Sequence, residues 1–316
     1  MTRIAVVGAG GYVGGRLVQH LRRAGRDVVP ISRRRSAWLG DDSVAVDLLV
    51  DPPHSLYRAL GGAGVVVHVA GHDEVMAATE PERALLETVA MTHRVADAVH
   101  RTGTPRVVYL STVHVYGVAQ QPRVVLTEAV VPQPRSSYAI ARLTSEHLLE
   151  GLLAGAAEVV SLRLTNSVGA PAEIDVDRWS LLVNDLCRQA CRSERLVLQT
   201  PGLQQRDWVS LLDVCGALEA AGDPAIVPAG TYNLGSGTTS SVRAMAELVA
   251  RTWASVTGEE RGVDAPATTD APPEPHHVDV ERLASLGIRL DTPIAEAVEE
   301  TVRFCVDHRA ALSTIT

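Results

Sequence analysis

Tyr138 and Arg142 place a phenol and a guanidinium four residues apart in a stretch with a helical pattern. Side chains at this spacing lie on one face of a helix, one turn apart. A phenol can donate a proton to a substrate oxygen or remove one, and a nearby positive charge favours its ionised form. The pair therefore predicts acid–base chemistry at Tyr138, although an ordinary exposed helix pair would have the same spacing.

The positive charge beside Tyr138 has to come from arginine, because the chain contains no lysine and all 29 of its Lys and Arg residues are arginine. A guanidinium is always charged, but its planar fork is wider than an ammonium and ill suited to passing on a proton. Arg142 therefore predicts electrostatic support of the phenol. The other interpretation is that activity has been lost.

Apolar runs predict the strands that position this pair. These runs cover residues 4–7, 28–31, 65–69, 107–110 and 159–164. They alternate with helical patterns, the longest at residues 82–101. Strands that are apolar throughout and separated by helices indicate a parallel sheet covered on both faces. The predicted fold class is therefore α/β, a doubly wound parallel sheet of the Rossmann type.

A glycine-rich turn follows the first predicted strand, with Gly8, Gly11 and Gly14 spaced three residues apart before a helix. Glycine permits a tight turn and lets the backbone approach a pyrophosphate, which then lies on the N–H groups of the helix. We interpret the turn, including Tyr12 and Val13, as a dinucleotide site. A plain strand–helix turn is the alternative.

The regular alternation ends near residue 165, which divides the chain of 316 residues into two predicted parts. Residues 1–165 form a dinucleotide-binding part. Residues 166–316 form a smaller, discontinuous and mainly substrate-binding part, with some segments returning to the first. A chain of this length is near the upper size for one hydrophobic core.

Charge and composition exclude several classes of partner. The net charge of −8 provides no positive surface for nucleic acid or anionic lipid, and no apolar run reaches the ~20 residues of a membrane span. The glycine-rich start predicts no secretory signal. The cysteines Cys187, Cys191, Cys215 and Cys305 show no metal or redox spacing. We therefore expect a cytoplasmic protein without a metal ion.

The end of the second strand indicates which dinucleotide binds. An acidic residue there would bind the ribose hydroxyls of NAD, whereas arginine accommodates the 2′-phosphate of NADP. The chain has Ser32, Arg33 and Arg34 at this point and no acid, which predicts NADP as the first choice and NAD as the second. A solvated arginine turn is the alternative. Asp47 and Leu48 are placed to meet the adenine, and a capping role for Asp47 is equally open.

Thr112 follows the fourth strand at its carboxyl end, where open α/β sheets bind their ligands. Its hydroxyl can hydrogen-bond a substrate carbonyl. Tyr138 can supply a proton as that carbonyl accepts hydride, or remove one in the reverse direction. Arg142 can support the phenol and donate hydrogen bonds to the nicotinamide ribose. These three residues predict carbonyl–alcohol redox chemistry.

Together these motifs resemble the extended short-chain dehydrogenase/reductases, and within them the nucleotide-sugar epimerase/dehydratase/reductase branch. The resemblance covers nearly the full chain and is carried by residues 8–14, 67–71, 110–117, 127–128, 138–142, 163–169, 205–213 and 232–235. It implies a catalytic set of Thr112, Tyr138 and Arg142, with Arg142 in place of the usual lysine. Thr88 stands about where the family has a helix asparagine, a second departure.

The resemblance also assigns binding residues. Val69, Ala70, Gly71 and Leu110 join the glycine turn and the Tyr138–Arg142 pair around the cofactor. For the substrate it assigns Ser111, Thr112, His114, Asn166 and Arg206. Of these, Asn166 and Arg206 match positions that hold the phosphates of a nucleotide sugar, and an arginine can grip a diphosphate in a bidentate manner. An internal salt bridge with Asp207 is the alternative for Arg206.

His114 bears on the type of reaction. Sugar dehydratases of this branch carry an acidic pair where this chain has Val113 and His114, which argues against dehydration. An imidazole can act as an acid or base near neutral pH. A packed or hydrogen-bonded histidine is the alternative.

The sequence thus predicts an enzyme, an NADP(H)-dependent ketoreductase acting on a nucleotide-linked keto-deoxysugar, with Tyr138 as proton donor. An NAD-dependent nucleotide-sugar 4-epimerase is the first alternative. A catalytically silent dinucleotide-binding module is the second, if Arg142 does not support hydride transfer. The family resemblance also implies a homodimer formed through two long helices, at residues 82–101 and 138–153.

Overall fold

A computed structural model describes residues 2–117, 124–269 and 277–313. The strands of this described part are β1 (Ile4–Val7), β2 (Val28–Ser32), β3 (Val44–Ala45), β4 (Val65–His68), β5 (Arg106–Thr112), β6 (Val125–Leu126), β7 (Glu158–Leu164), β8 (Asn166–Val168), β9 (Arg195–Val197), β10 (Gln205–Ser210), β11 (Gly230–Leu234), β12 (Thr239–Ser241), β13 (Gly262–Asp264) and β14 (His277–Val278). The helices are α1 (Tyr12–Arg23), α2 (Pro53–Leu60), α3 (Glu74–Thr79), α4 (Pro81–Thr102), α5 (Ser137–Leu152), α6 (Leu182–Arg192), α7 (Leu211–Ala221), α8 (Val242–Thr257), α9 (Glu281–Ala284), α10 (Ile294–Asp307) and α11 (Arg309–Leu312). Short 3-10 helices lie at Ala37–Leu39 and Val113–Tyr116.

The main sheet contains seven strands in the order β11-β7-β5-β4-β1-β2-β3, and every neighbouring pair is parallel. The predicted doubly wound α/β fold is confirmed. The strand order reverses at β1, which has β2 on one side and β4 on the other. Open sheets of this kind bind ligands beyond the carboxyl ends of the strands at such a switch point.

Both faces of the sheet are covered by apolar helix surfaces. Successive residues of β1 point to opposite faces: Val6 packs in one cluster with Leu17 of α1 and Leu218 of α7, whereas Val7 packs in another with Leu149 of α5 and helix α4. Burial on both sides explains why these strands have no polar alternation.

The C-terminal half builds a second, smaller assembly. It holds a three-stranded sheet in the order β12-β10-β8 and an apolar cluster around the fully buried Trp253, enclosed by α6, α8 and α10. Strand β11 from the same half returns to the edge of the main sheet beside β7. The division at residue 165 stays a prediction.

The four cysteines are buried and form no disulfides. Burial raises the pKa of Cys215 to about 12, so this thiol is a poor nucleophile. Within the described ranges no cluster of His, Cys, Asp and Glu is arranged to hold a metal ion. In the same ranges no helix has both the length and the apolar character needed to cross a membrane.

A buried ion pair docks α5 on the main sheet. Arg163 of β7 donates from Nη2 to Oε2 of Glu146 at 2.7 Å, and its Nε donates to Oε1 at 3.1 Å. The two side chains are 6% and 1% exposed. Glu146 lies one helical turn beyond Arg142 and two turns beyond Tyr138. The ion pair therefore fixes the rotation of the helix that carries the predicted catalytic residues.

Replacing Arg163 with methionine tests how much this ion pair contributes to the free energy of unfolding. Arg163→Met leaves the Glu146 carboxylate buried without its partner, so we expect the free energy of unfolding in urea to fall by about 3–5 kcal/mol. The matched control is Arg188→Met, which removes the more exposed Arg188–Asp185 pair on α6 and should cost no more than about 1 kcal/mol. Equal losses in the two variants would contradict this account.

Candidate active site

The glycine turn brings the start of α1 over the carboxyl end of β1. The N–H groups of Gly8 and Ala9 donate to the Ile31 carbonyl at 2.9 and 3.0 Å, and the Gly11 N–H donates to the Gly8 carbonyl at 3.0 Å. Gly8 has a φ of +99°, in the region that favours glycine. A Cβ on Gly14 would overlap the Gly8 carbonyl oxygen. The helix thus packs directly on the turn, as binding of a pyrophosphate requires.

The two residues at the start of α1 offer their backbone to a ligand. The Tyr12 hydroxyl donates to the Gly169 carbonyl at 2.7 Å, and burial raises its pKa. Val13 packs its side chain against the core on the α1 face of the sheet. Because the first N–H groups of a helix have no intrahelical partner, those of Tyr12 and Val13 suit an anion. Their role in cofactor binding stays a prediction.

Two exposed arginines follow β2 beside a buried serine. The Ser32 hydroxyl donates to the Arg34 carbonyl at 2.6 Å, which shapes the turn. Arg33 and Arg34 are exposed, and their side chains form no ion pair or hydrogen bond with the residues that the structure describes. Two unpaired guanidinium groups at this edge fit a phosphate, and they fit a solvated turn equally well.

The structure places Asp47 and Leu48 in a tight turn after β3. The Asp47 carboxylate accepts the Leu49 N–H at 2.9 Å, and the Leu48 side chain packs in the core with 8% exposure. This geometry favours the capping role of Asp47, and contact of either residue with an adenine stays a prediction.

The segment after β4 lies between the glycine turn and Arg142. The Val69 N–H donates to the Val7 carbonyl at 2.9 Å, which continues the sheet. A Cβ on Gly8 would lie 2.7 Å from the Ala70 nitrogen, and a Cβ on Gly71 would lie 2.9 Å from Nη1 of Arg142. Because neither glycine has a side chain, the glycine turn can approach residues 69–71, and residues 69–71 can approach Arg142.

Helix α5 presents Tyr138 in its first turn. Ser136 caps the helix, because its hydroxyl oxygen accepts the Ala139 N–H at 3.2 Å. The guanidinium carbon of Arg142 lies 5.3 Å from the centre of the Tyr138 ring. The same helical face therefore brings the phenol and the charge together, as the spacing predicts.

Arg142 is buried, with 8% exposure, and is held by backbone carbonyls. Its Nη2 donates to the His72 carbonyl at 3.2 Å, and its Nη1 makes a longer contact of 3.5 Å with the Leu110 carbonyl. Burial alone would lower the pKa of Arg142, but the phenols of Tyr109 and Tyr138 outweigh it and raise the pKa. The guanidinium thus stays charged beside Tyr138.

Thr88 holds the backbone of His72 from the other side, at its N–H group. Its hydroxyl oxygen accepts the His72 N–H at 3.1 Å, while the His72 carbonyl faces Arg142. The His72 ring contacts Glu87 at 2.6 Å. Sequence reasoning noted Thr88 as a departure from the family and missed His72, which has no motif of its own.

Thr112 ends β5, and His114, two residues further along the chain, lies beside Tyr138. The Thr112 hydroxyl oxygen accepts the His114 N–H at 3.2 Å, so its hydroxyl proton is left to donate to a substrate oxygen. The His114 and Tyr138 rings meet edge to face, 6.2 Å between centres. Ser111 and Thr112 are both 3% exposed, but the Ser111 hydroxyl donates to Glu146 in the core. Its assignment to the substrate stays a prediction.

The predicted phosphate ligands meet on the smaller sheet. Asn166 of β8 is the register partner of Trp208, two residues along β10 from Arg206. The Asn166 amide donates to the Asp207 carbonyl at 2.9 Å. Instead of pairing with Arg206, the Asp207 carboxylate accepts from the Thr165 hydroxyl and the Ser236 N–H, each at 2.9 Å. The exposed Arg206 side chain is thus not engaged by the salt bridge considered above.

The chain belongs to the NAD dependent epimerase/dehydratase family, whose model matches residues 4–235. It is 32% identical over 307 residues to the dTDP-6-deoxy-L-talose 4-dehydrogenase (NAD(P)(+)) of Kitasatospora kifunensis, covering 94% of each chain. It is 27% identical over 273 residues to the UDP-glucose 4-epimerase of Streptomyces lividans, covering 78% of this chain and 79% of that one. The structure of MoeE5 in complex with UDP-glucose and NAD matches with a TM-score of 0.80 and 26% identity, covering 96% of this chain and 99% of that one.

These likenesses confirm the resemblance to the nucleotide-sugar branch of the extended short-chain dehydrogenase/reductases. The protein is an enzyme of that class and uses a nicotinamide dinucleotide. The glycine turn at the switch point beside β1 stays the predicted place for this cofactor.

Gly14→Ala tests the glycine turn. The added methyl group overlaps the Gly8 carbonyl and forces α1 away from the turn, so we expect affinity for the reduced nicotinamide dinucleotide, titrated by fluorescence with NADPH and with NADH, to fall on the order of 10-fold or more. The control is Gly216→Ala within α7, where a Cβ meets no atom within 4 Å. It should bind the dinucleotide with native affinity and gain about 0.5–1 kcal/mol of stability. Native affinity in Gly14→Ala would contradict the assignment.

Proposed function

We propose that the protein is an NADP(H)-dependent ketoreductase that reduces a nucleotide-linked keto-deoxysugar, with Tyr138 as proton donor. The observation that carries the proposal is the buried guanidinium of Arg142, 5.3 Å from the centre of the Tyr138 ring. A charge in such a place costs free energy unless it is satisfied, and here it is anchored to backbone carbonyls beside a phenol.

The proposed chemistry assigns one task to each of three residues. The Thr112 hydroxyl donates a hydrogen bond to the carbonyl oxygen of the sugar. Tyr138 transfers its phenolic proton to that oxygen as negative charge develops on it. Arg142 stabilises the phenolate that remains. When bound, the reduced nicotinamide supplies the hydride.

We assign the 2′-phosphate of NADP to Ser32, Arg33 and Arg34. Support comes from the absence of an acid at the end of β2 and from two exposed guanidinium groups without partners among the described residues. The Kitasatospora relative is named for NAD(P)(+), so NAD remains the second choice. The other proposed cofactor contacts are the glycine turn, residues 69–71, Leu110, Tyr138 and Arg142.

We assign the substrate's diphosphate to Asn166 and Arg206, and the sugar to the surroundings of Thr112 and His114. The smaller sheet brings Asn166 and Arg206 onto neighbouring strands. A guanidinium in that position suits a diphosphate. The names of the relatives, which include dTDP- and UDP-linked sugars, support this class of substrate.

A 4-epimerase that keeps NAD bound is the second candidate. It is favoured by the likeness to the Streptomyces lividans UDP-glucose 4-epimerase and to MoeE5 in complex with UDP-glucose and NAD. The same three residues would then remove a proton from a sugar hydroxyl as hydride passes to the nicotinamide, and would return the proton, together with the hydride, after the keto sugar has rotated to present its opposite face.

We also propose that the protein forms a homodimer through α4 and α5 and acts in the cytoplasm. Leu86 on α4 and Ile140 on α5 are 59% and 39% exposed, which gives these helices apolar surface for a partner. The four unpaired, buried thiols suit a reducing compartment.

Transfer of deuterium distinguishes the proposed reductase from the epimerase. We expect a single turnover with NADPH deuterated at the transferable position and a 4-keto sugar nucleotide to give a product heavier by one deuterium, with slower transfer from deuterated NADH. Tyr138→Phe should lower the rate by ~10²–10⁴-fold. The measurement is mass spectrometry of the quenched product.

Equal rates in native protein and Tyr138→Phe would contradict the proposed role of the phenol and favour a silent binding module. The epimerase would be favoured over the reductase if the protein retained NAD tightly, transferred no deuterium to the product and interconverted two sugar epimers.

A further inference from the structure

Arg178 joins the two halves of the chain through two ion pairs. It lies between β8 and α6, and its Nη1 donates to Oδ2 of Asp73 at 2.6 Å while its Nη2 donates to Oε2 of Glu74 at 2.8 Å. The arginine side chain is 17% exposed. Burial alone would lower the pKa of Arg178, but the carboxylates of Glu74 and Asp73, with a smaller contribution from the Tyr138 phenol, outweigh it and raise the pKa. We call this three-residue contact the clasp.

Both ends of the clasp are attached to rigid elements. The Arg178 carbonyl accepts the side-chain amide of Asn184, a residue of α6 with 1% exposure, at 3.2 Å. Asp73 caps α3, because its Oδ1 accepts the Met76 N–H at 2.9 Å. The guanidinium therefore connects α6 of the C-terminal half to the start of α3.

The residues immediately before the clasp hold Arg142. The backbone at Gly71 lies against the Arg142 guanidinium, and the His72 carbonyl accepts from Arg142 Nη2. A continuous series of contacts thus runs from Arg178 through Asp73 and His72 to Arg142, and from there to Tyr138.

We propose that Arg178 is a positioning residue for the catalytic pair: through Asp73 and Glu74 it fixes the backbone of residues 71–73, whose His72 carbonyl holds Arg142 against Tyr138. This proposal rests on the proposed function of that pair. It gives the C-terminal half a second task, since the part that binds the substrate then also sets the geometry of proton transfer.

A direct contact of Arg178 with the substrate's diphosphate is the competing role. The clasp lies near Arg206, since the Glu74 carboxylate acts on the charge of Arg206. Desolvation by the surrounding protein lowers the pKa of this solvent-accessible guanidinium, and Glu74 opposes that shift. A phosphate ligand changes mainly KM when it is removed, whereas a residue that positions the reacting groups changes kcat. Steady-state kinetics therefore separates the two roles.

The experiment compares three changes in keto-sugar reduction. Arg178→Met should lower kcat on the order of 10–100-fold, because small displacements of reacting groups are costly, while KM changes by less than ~3-fold. The double variant Asp73→Asn/Glu74→Gln should show the same loss of kcat. Helix α3 should keep its cap in this variant, since asparagine caps a helix about as well as aspartate. Combining all three substitutions should add no further loss, because they break one chain of contacts.

The matched control is Arg16→Met. Arg16 forms another ion pair between the two halves, with Glu300 at 2.5 Å, outside the contacts that lead to Arg142. Its kcat should stay within ~2-fold of the native value. A raised KM with unchanged kcat in Arg178→Met would overturn the proposal in favour of phosphate binding. An equal loss of kcat in Arg16→Met would also overturn the proposal, because it would show that any ion pair between the two halves affects catalysis to the same extent.

Hydrogen exchange separates failure of the clasp from failure of the proposed function. Amides of residues 71–77 should exchange faster in Arg178→Met than in the native protein, and at the native rate in Arg16→Met, whether or not a keto sugar is reduced. Exchange at the native rate in Arg178→Met would contradict the proposed positioning role of the clasp. Faster exchange in Arg178→Met, in a protein that reduces no keto-sugar nucleotide, would support the proposed role of the clasp and contradict the proposed reductase activity.

Discussion

The rotation of α5 about its axis is the constraint on which the candidate site depends, and the buried ion pair of Glu146 with Arg163 sets it. Tyr138, Arg142 and Glu146 follow one another at steps of four residues, so all three point towards the sheet. A carboxylate buried this deeply requires its partner, which excludes other rotations of the helix. The position of the phenol thus follows from a contact two helical turns away.

The charge of Arg142 has to be held differently from that of the usual lysine. An ammonium is compact, whereas the guanidinium fork needs acceptors in its own plane. Here the backbone provides them at His72 and Leu110, and Gly71 leaves the necessary space. Thr88 accepts the N–H of the same residue, His72. The two departures from the family pattern therefore contact the backbone of one residue, which explains how the site accommodates both.

The sequence predicted what depends on local pattern: the parallel sheet from its apolar runs, the glycine turn from its spacing, and the Tyr138–Arg142 face from the helical period. It did not reveal the pairing of Glu146 with Arg163 or of Arg178 with Asp73, since long-range ion pairs depend on packing. The pattern also did not reveal that the Ser111 hydroxyl donates to Glu146 in the core, and contact of Ser111 with the substrate stays a prediction.

Support of the Tyr138 phenol by the Arg142 guanidinium is the central feature of the site, and Arg142→Met tests it most directly. Methionine keeps much of the side chain's length and removes its charge. In single-turnover hydride transfer from NADPH to a 4-keto sugar nucleotide, we predict a rate lowered by ~10²–10⁴-fold, as for loss of a general acid, with NADPH still bound. A rate within ~2-fold of the native value would contradict the account, because a smaller change than about 0.4 kcal/mol leaves no role for the charge.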